Sequence, residues 1–317
     1  MLCYQCEQTA KGEGCTSFGV CGKDPDTAAL QDLLVHAVKG LAMVLQRSAR
    51  FGVVDPESQA FIQEALFTTV TNVNFDPARL AASLRRAASL GERATARYRE
   101  ACRAAGEVPV DLVGAAAAWH PAGDLDGLVR QGEAVSAEQR IARLGQDAGG
   151  LAELVLYGLK GMAAYAHHAR VLGVSDPAVD AFFVEALDFL CTTPSLDELT
   201  AMALKVGEVN LQVMGLLDRA NTTAYGHPVP TPVRVTPVKG KAILVSGHDL
   251  KDLEELLEQS EGMGVNVYTH GEMLPAHGYP GLKRHAHLVG NYGGAWQDQR
   301  VEFDRFPGAI LMTTNCI

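Results

Sequence analysis

Apolar residues recur at helical intervals through the first two thirds of the chain. The stretch from Ala28 to Leu45 spaces its apolar residues three and four positions apart and contains few β-formers. Asp24 and Pro25 precede it, and these residue types are typical of the N-cap and of the first position of a helix. The same signals predict helices that begin near Asp55–Pro56, run from about Pro77 to Ala105, lie around Ala137 to Leu144 and run from about Ser195 to Ala220.

This helical pattern occurs twice. Residues 30–76 align without a gap on residues 151–197, an offset of 151 − 30 = 121 positions. In both copies a glycine ends one helix and an Asp-Pro pair opens the next. The matched pairs include Lys39 with Lys160, Gly40 with Gly161, Gly52 with Gly173 and Pro56 with Pro177. A third helix follows each hairpin, so the sequence predicts two antiparallel three-helix bundles.

The pattern changes beyond residue 226. Four prolines between Pro228 and Lys239 indicate a linker. Short apolar strands then alternate with an amphipathic helix at Asp249–Gly262, and this order predicts a parallel, doubly wound sheet. The predicted strands are Lys241–Ser246, Val265–Thr269, a short one beginning at Leu288, and Ala309–Thr314.

The predicted fold class is therefore multidomain, α followed by α/β. The expected parts are a cysteine-rich cluster-binding loop at 1–27, an all-helical domain at 28–226, a linker at 227–240 and a partial parallel α/β domain at 241–317. No glycine-rich dinucleotide fingerprint follows a predicted strand, so we do not expect bound NAD or FAD.

Composition narrows the possible partners. The 317 residues are 47% hydrophobic, carry a net charge of −10 and have a pI of about 5.5. This acidity argues against nucleic acid or an anionic membrane as the main partner. No uninterrupted apolar run reaches the roughly 20 residues that span a bilayer, and the N-terminus lacks a signal-peptide pattern. We therefore expect a cytoplasmic, reducing location and no membrane partner.

Four of the seven cysteines lie within the first 21 residues, with the spacing C-x2-C-x8-C-x5-C. They are Cys3, Cys6, Cys15 and Cys21. Four thiolates on a short glycine-containing loop are typical of an iron–sulfur cube, which takes one cysteine per iron. A four-cysteine zinc site is the main alternative, although only one C-x2-C knuckle is present. Disulfides are the third, although a large globular chain does not need them.

Three further metal-capable residues follow predicted strands, namely His248, Glu272 and Cys316. The carboxyl edge of a parallel sheet is where ligands bind, and iron accepts nitrogen, oxygen and sulfur donors. A single histidine or glutamate after a strand is, however, more often an ordinary loop residue. His270 and His277 are alternatives for the same role. We interpret Cys102 and Cys191 as packing residues, and His167–His168 as surface or core residues.

Several stretches resemble the hybrid cluster protein family, also known as hydroxylamine reductase or prismane protein. The resemblance spans the chain and rests on the segments MLCYQCEQTA at 1–10, GVCGK at 19–23, ANTTAYG at 220–226, SGHDLKDL at 246–253, YTHGEMLPA at 268–276, GNYGG at 290–294 and TTNC at 313–316.

The resemblance implies two clusters. Cys3, Cys6, Cys15 and Cys21 would hold a [4Fe–4S] cluster, while His248, Glu272 and Cys316 would ligate a hybrid [4Fe–2O–2S] cluster. It implies reduction of hydroxylamine to ammonia, or of nitric oxide to nitrous oxide, with electrons from a donor redox protein. His270 or Glu272 would be candidate proton donors, and the sequence does not choose between them.

Members of this family continue past the TTNC motif and carry their remaining hybrid-cluster ligands there. We therefore expect this chain to be a fragment that holds the cubane but not a complete hybrid cluster. The alternative function is a single-cubane module for electron transfer or the response to nitrosative stress. A zinc-stabilised helical scaffold is a third possibility.

Overall fold

The computed structural model describes residues 1–6, 9–70 and 74–314. It divides into two compact units. The first unit comprises Met1–His167 and Ser175–Met214, and the second comprises His168–Val174 and Gly215–Ile317.

Long helices make up the first unit. They are α1 (Pro25–Ala49), α2 (Pro56–Thr68), α3 (Pro77–Ala104), α4 (Leu125–Glu133), α5 (Ala137–Leu144), α6 (Gln146–Val171), α7 (Pro177–Phe189) and α8 (Leu196–Tyr225), of which α6 and α8 end in the second unit. Asp24, Asp55 and Asp176 accept hydrogen bonds from first-turn amides of α1, α2 and α7. The expected Asp-Pro starts are thus confirmed. Only α4 was not predicted, although Asp124 caps it in the same way.

The predicted repeat is present in the helix boundaries. Shifted by 121 positions, the bounds of α2 become those of α7. The two bundles nevertheless share one hydrophobic core, because α1 contacts α3, α4 and α7, and α2 also contacts α7. Buried residues lie on every side of α1. A helix that is apolar all round must be enclosed, and this explains why the copies merge.

By length and composition alone, α1 is apolar enough to cross a membrane, the one such helix among the described residues. Its most apolar stretch is 89% buried within the protein. The core helix of a globular protein has the same composition and the same burial.

A four-stranded parallel sheet forms the centre of the second unit. Its strands are β1 (Lys241–Ser246), β2 (Val265–Thr269), β3 (Leu288–Asn291) and β4 (Ala309–Met312), in the order β3-β2-β1-β4. The helices are α9 (Leu250–Ser260), α10 (Pro280–Lys283) and α11 (Gln299–Arg305), with 3-10 turns at Gly271–Gly278 and Trp296–Asp298. The chain adds β2 and β3 on one side of β1 and then β4 on the other side. The order of the strands therefore reverses between β1 and β4, and open α/β sheets bind ligands at such a point.

Details of this unit differ from the prediction. Strand β3 begins at Leu288 as expected and ends at Asn291, and β4 ends at Met312 instead of Thr314. The second unit also begins before the proline-rich segment. Tyr225, at the end of α8, is buried in one cluster with Val245 and Leu253. This packing joins the last turn of a helix to the sheet, so the units divide within helices and not at residues 227–240.

Candidate metal-binding residues at the N-terminus and at the sheet edge

The N-terminal cysteines lie on a short turn closed by a backbone pairing. The amide of Cys3 donates to the carbonyl of Cys15 at 3.0 Å, and the amide of Cys15 donates back at 2.8 Å. This antiparallel bridge puts two of the four predicted ligands opposite each other. Between them the chain turns at Lys11 and Gly12, both in the left-handed region with φ of 58° and 71°.

The other two cysteines lie in tight local structure. The carbonyl of Cys6 accepts from the amide of Thr9 at 3.1 Å. Cys21 lies in a turn in which the amide of Gly22 donates to the carbonyl of Gly19. A Cβ atom on Gly19 would approach the Cys21 sulfur to 3.1 Å, so this glycine leaves room for the sulfur.

These residues fit an iron–sulfur cluster in donor type and in the compactness of their turn. Cys15 is buried and the other three are half-buried. In the described part of the chain, no three side chains of His, Cys, Asp or Glu form a ready metal-binding group. The fit therefore rests on the chemistry of four thiols on one short loop.

The side chains beside these cysteines anchor the segment to the helices. The Gln5 amide donates to the Thr69 carbonyl at 3.3 Å and accepts from the Lys160 ammonium at 3.0 Å. The rings of Tyr4 and Tyr157 lie 5.3 Å apart. Burial lowers the pKa of Lys160 to about 8 and raises that of Tyr4 to about 12. Sequence reasoning did not identify these contacts.

A buried ion cluster lies nearby in the first unit. The Arg140 guanidinium of α5 donates to Asp32 of α1 at 3.1 Å and to both oxygens of Glu153 of α6 at 2.6 and 3.0 Å. Burial by itself would lower the pKa of Arg140, but the two carboxylates raise it. Burial would likewise raise the pKa of Glu153, but the bidentate arginine holds it low. Asp32 and Glu153 are equivalent positions of the repeat, 121 residues apart.

At the carboxyl edge of the sheet, the structure brings together two of the three predicted ligands. His248 follows β1 and Glu272 follows β2, and the His248 Nε2 atom is in hydrogen-bond contact with a Glu272 carboxylate oxygen. The His248 Nδ1 atom lies 3.3 Å from the carbonyl oxygen of Thr314, the last described residue after β4. The third predicted ligand, Cys316, lies outside the described residues.

The His248–Glu272 pair suits a cation. A carbonyl facing Nδ1 favours the tautomer with its hydrogen there, and this leaves the Nε2 lone pair directed at a carboxylate. Two electron-pair donors that face each other are stabilised by a proton or a metal ion between them. A histidine whose other nitrogen is fixed by a carbonyl is a common metal ligand.

Gly247 allows the ends of β1 and β4 to approach. Its φ is +118°, and a Cβ atom there would lie 2.2 Å from the Thr313 hydroxyl oxygen. The Thr313 amide donates to the Ser246 carbonyl at 2.9 Å. The chain that leads from β4 toward Cys316 therefore begins next to His248.

The two alternative histidines have other partners. His270 is fully buried, with Nδ1 3.2 Å from the Ser246 hydroxyl and Nε2 2.7 Å from a Glu302 carboxylate oxygen. His277 Nε2 lies 2.9 Å from the Thr269 hydroxyl. Burial lowers the pKa of His277, against a smaller opposite effect of a backbone hydrogen bond at Gly290. Both rings therefore hold the strand ends that carry His248 and Glu272.

Cys102, Cys191, His167 and His168 contact residues other than the predicted metal ligands. Cys102 is buried in α3, and the Cys191 thiol donates to the Leu187 carbonyl at 3.4 Å. Burial raises the pKa of Cys191 to about 11. The His167 ring lies 5.3 Å from the Phe67 ring, and His168 Nδ1 lies 3.6 Å from an Asp249 oxygen.

Comparison with known proteins identifies the family. The sequence pattern of the Prismane/CO dehydrogenase family matches residues 1–317. The chain therefore belongs to the Prismane/CO dehydrogenase family.

Its curated relatives include proteins named hydroxylamine reductase. Those of Rhodospirillum rubrum and Syntrophobacter fumaroxidans are 58% and 56% identical over 318 residues, and that of Burkholderia ambifaria is 54% identical over 322. Each alignment covers all of this chain and 58% of the relative, so the chain spans little more than half their length.

Similarity to solved structures is weak. Carbon monoxide dehydrogenase from Thermococcus sp. AM4 is 15% identical with a TM-score of 0.34, over all of this chain and 46% of that one. A score this low carries no argument about the site.

Proposed function

We propose that the chain contributes two cluster-binding sites to an iron–sulfur oxidoreductase that reduces hydroxylamine. The balanced reaction is hydroxylamine plus two protons and two electrons, giving ammonia and water. The names of the relatives support this substrate. Because the chain spans 58% of their length, the reaction is proposed for a protein of the relatives' length.

In this proposal Cys3, Cys6, Cys15 and Cys21 hold a [4Fe–4S] cluster that receives electrons from a donor redox protein of a reducing cytosol. His248, Glu272 and Cys316 contribute ligands to a hybrid [4Fe–2O–2S] cluster. When bound, these clusters supply the electrons and the Lewis acidity of the reaction.

The chain's own residues have separate tasks in this proposal. Gln5, bonded to Lys160 and to the Thr69 carbonyl, fixes the cysteine segment on the helices. His270, held between Ser246 and Glu302, keeps the end of β2 in place beside Glu272. Glu272, whose side chain is 57% exposed, is the group at this edge best able to exchange a proton with solvent.

One observation carries the proposal more than any other. His248 and Glu272 follow two neighbouring strands, 24 residues apart in the chain, and their side chains meet at the carboxyl edge of the sheet. This pairing at a ligand-binding edge is what a metal-dependent active site needs. The four-thiol segment supplies the second donor set in the same chain.

The first experiment measures iron and acid-labile sulfide after anaerobic reconstitution of the 317-residue chain. We expect about four of each per chain, since a cubane takes one cysteine per iron. Cys6→Ser should lower both, whereas Cys102→Ser, in the buried face of α3, should not. Zinc without sulfide would select the zinc scaffold instead.

The second experiment follows hydroxylamine-dependent oxidation of a reduced viologen dye by a chain of the relatives' length. We expect His248→Ala and Glu272→Gln to abolish activity but to keep the EPR signal of the N-terminal cluster. His227→Ala, an exposed histidine in the same unit, is the control. Formation of nitrous oxide from nitric oxide, without turnover of hydroxylamine, would show that nitric oxide is the substrate instead. A single cubane signal without either activity would favour the electron-transfer module.

A further inference from the structure

The two copies of the repeat bury equivalent lysines in different surroundings. Lys39 on α1 and Lys160 on α6 are 121 positions apart, and their exposures are 9% and 6%. The Lys160 ammonium donates to Gln5. Lys39, by contrast, makes no hydrogen bond or ion pair with the described residues. The Lys39 side chain is thus largely enclosed while its ammonium lacks a partner in the part of the chain that the structure describes, so what the ammonium faces requires explanation.

Lys39 lines a cavity of about 320 Å³. Its lining also includes Arg140 and Arg143 of α5, residues 114–116, His36 and Cys191. Around Lys160, the matching space is only about 20 Å³ and is lined by Cys3 and Gln5 of the N-terminal segment. The space that the cysteine segment fills over Lys160 is thus an open cavity over Lys39.

The charged side chains that line the cavity are all cationic. Arg140 is paired with both Asp32 and Glu153, so these three groups together carry one net negative charge, although neither carboxylate lines the cavity. The exposed Arg143 makes no ion pair within residues 1–6, 9–70 and 74–314, and the cavity wall includes no carboxylate. Lys39 and the exposed Arg143 are therefore two cations without a paired carboxylate among these residues, and they line the same cavity. A small anion that enters there gains charge-assisted hydrogen bonds in a partly desolvated site.

We propose that the cavity over Lys39 binds a small oxyanion or carboxylate, with the Lys39 ammonium as its buried partner and Arg143 as its partner at the rim. A volume of 320 Å³ accommodates an ion of the size of phosphate together with water molecules. This site is independent of the proposed metal clusters, so either can fail without the other.

Protonation of Lys39 should control this binding. Burial lowers the pKa of Lys39 to about 8, and the charges of Arg140 and Arg143 of α5 act in the same direction, while the carboxylate of Glu153 of α6 opposes them. The neighbouring His36 is neutral above its own pKa, which burial also lowers, and the Cys191 thiol keeps its proton up to about 11. Of these groups only Lys39 changes charge near pH 8, so affinity should fall as the pH rises through about 8.

The test is calorimetric titration of the 317-residue chain with phosphate, nitrite and acetate in separate runs. We expect saturable one-site binding of at least one of them, weakened about tenfold or more in Lys39→Met and several-fold in Arg143→Met, as for charged hydrogen bonds. Lys160→Met is the matched control and should bind within about twofold of the unmodified chain, because its ammonium already has Gln5 as partner. Tightest binding of acetate would indicate a carboxylate ligand, and tightest binding of phosphate or nitrite an oxyanion.

A second measurement does not depend on the folding of a variant. In crystals of the unmodified chain soaked in selenate, an anomalous peak within hydrogen-bond distance of the Lys39 nitrogen would support the proposal. No peak in this cavity, no saturable binding of any of the three anions, or equal binding by Lys39→Met would each overturn it.

Discussion

The two copies of the helical repeat differ less in their helices than in what covers them. Shifted by 121 positions, α2 and α7 have the same bounds, and both copies bury a lysine at the same position. In the second copy the N-terminal cysteine segment lies over that lysine, but in the first a cavity does. The repeat therefore contains two equivalent surfaces around a buried lysine, and the cysteine segment covers one of them.

The copies are also joined by a shared cation. Asp32 and Glu153 are equivalent acids, and both bind Arg140 of α5, which belongs to neither copy. Similar sequences can thus be assigned different tasks by short segments outside the repeat. The predictions below test this difference between the copies.

The largest effect is expected from Arg140→Met. Removing the guanidinium leaves the buried Glu153 and the half-buried Asp32 without this partner, which should lower the free energy of unfolding by about 3–5 kcal/mol. Urea denaturation measures this. Arg143→Met, three residues along α5 and exposed, should change it by less than about 0.5 kcal/mol. Equal losses of unfolding free energy in Arg140→Met and Arg143→Met would mean that the ion pairs of Arg140 do not stabilise the contact between the two copies.

The second largest difference is expected at a pair of equivalent glycines, Gly40 and Gly161. A Cβ atom on Gly40 would lie 2.2 Å from the Ala116 carbonyl oxygen, whereas at the equivalent Gly161 nothing lies within 4 Å. Gly40→Ala should therefore destabilise the chain by about 1–3 kcal/mol, and Gly161→Ala should stabilise it by about 0.5–1 kcal/mol. Thermal and urea unfolding of both variants provide the check. Changes of the same sign would contradict the asymmetry.

The third prediction concerns pH. The pKa of Lys39 in the folded chain is about 8, below its ordinary value of 10.5. Between these two pH values the unfolded chain therefore binds more protons than the folded chain does. The free energy of unfolding due to this group consequently rises with pH in that range. From about pH 7 to about pH 9 the unmodified chain should gain roughly 1 kcal/mol relative to Lys39→Met. Urea unfolding of both proteins over this range measures the gain. A constant difference would show that Lys39 has an ordinary pKa in the folded chain.

The smallest effects are expected at the surface, where the copies are alike. Arg86 pairs with Glu64 at 3.0 Å, and Lys205 pairs with the equivalent Glu185 at 2.6 Å. Both pairs are solvated, so Glu64→Gln and Glu185→Gln should each cost about 0.5 kcal/mol or less. Denaturant midpoints of the two variants should coincide. A large loss in only one copy would reveal an asymmetry in the outer helices as well.

The sequence predicted the elements well because the signals were local. Asp-Pro starts and helical spacing predicted α1, α2 and α7, and short apolar runs predicted β1 and β2 with the bounds that the structure has. The short α10 and α11 were missed, since four and seven residues are too few for a periodic signal. The single shared core also escaped prediction, because a repeat in sequence does not reveal how its copies pack.

The candidate site was predictable in part. Strand ends pointed to His248 and Glu272, and their side chains meet. The sequence could not show that His270 is held between Ser246 and Glu302, since these residues come together only through the sheet order. The cavity over Lys39 was equally hidden. The repeat alignment marked both lysines, but only packing distinguishes a covered ammonium from an open one.

Arg140 has a consequence for how such a protein can be divided. Since one guanidinium balances an acid from each copy, a single copy expressed alone would carry a buried acid without its counter-ion. Present-day chains split between α5 and α6 should regain their fold only when both pieces are supplied together.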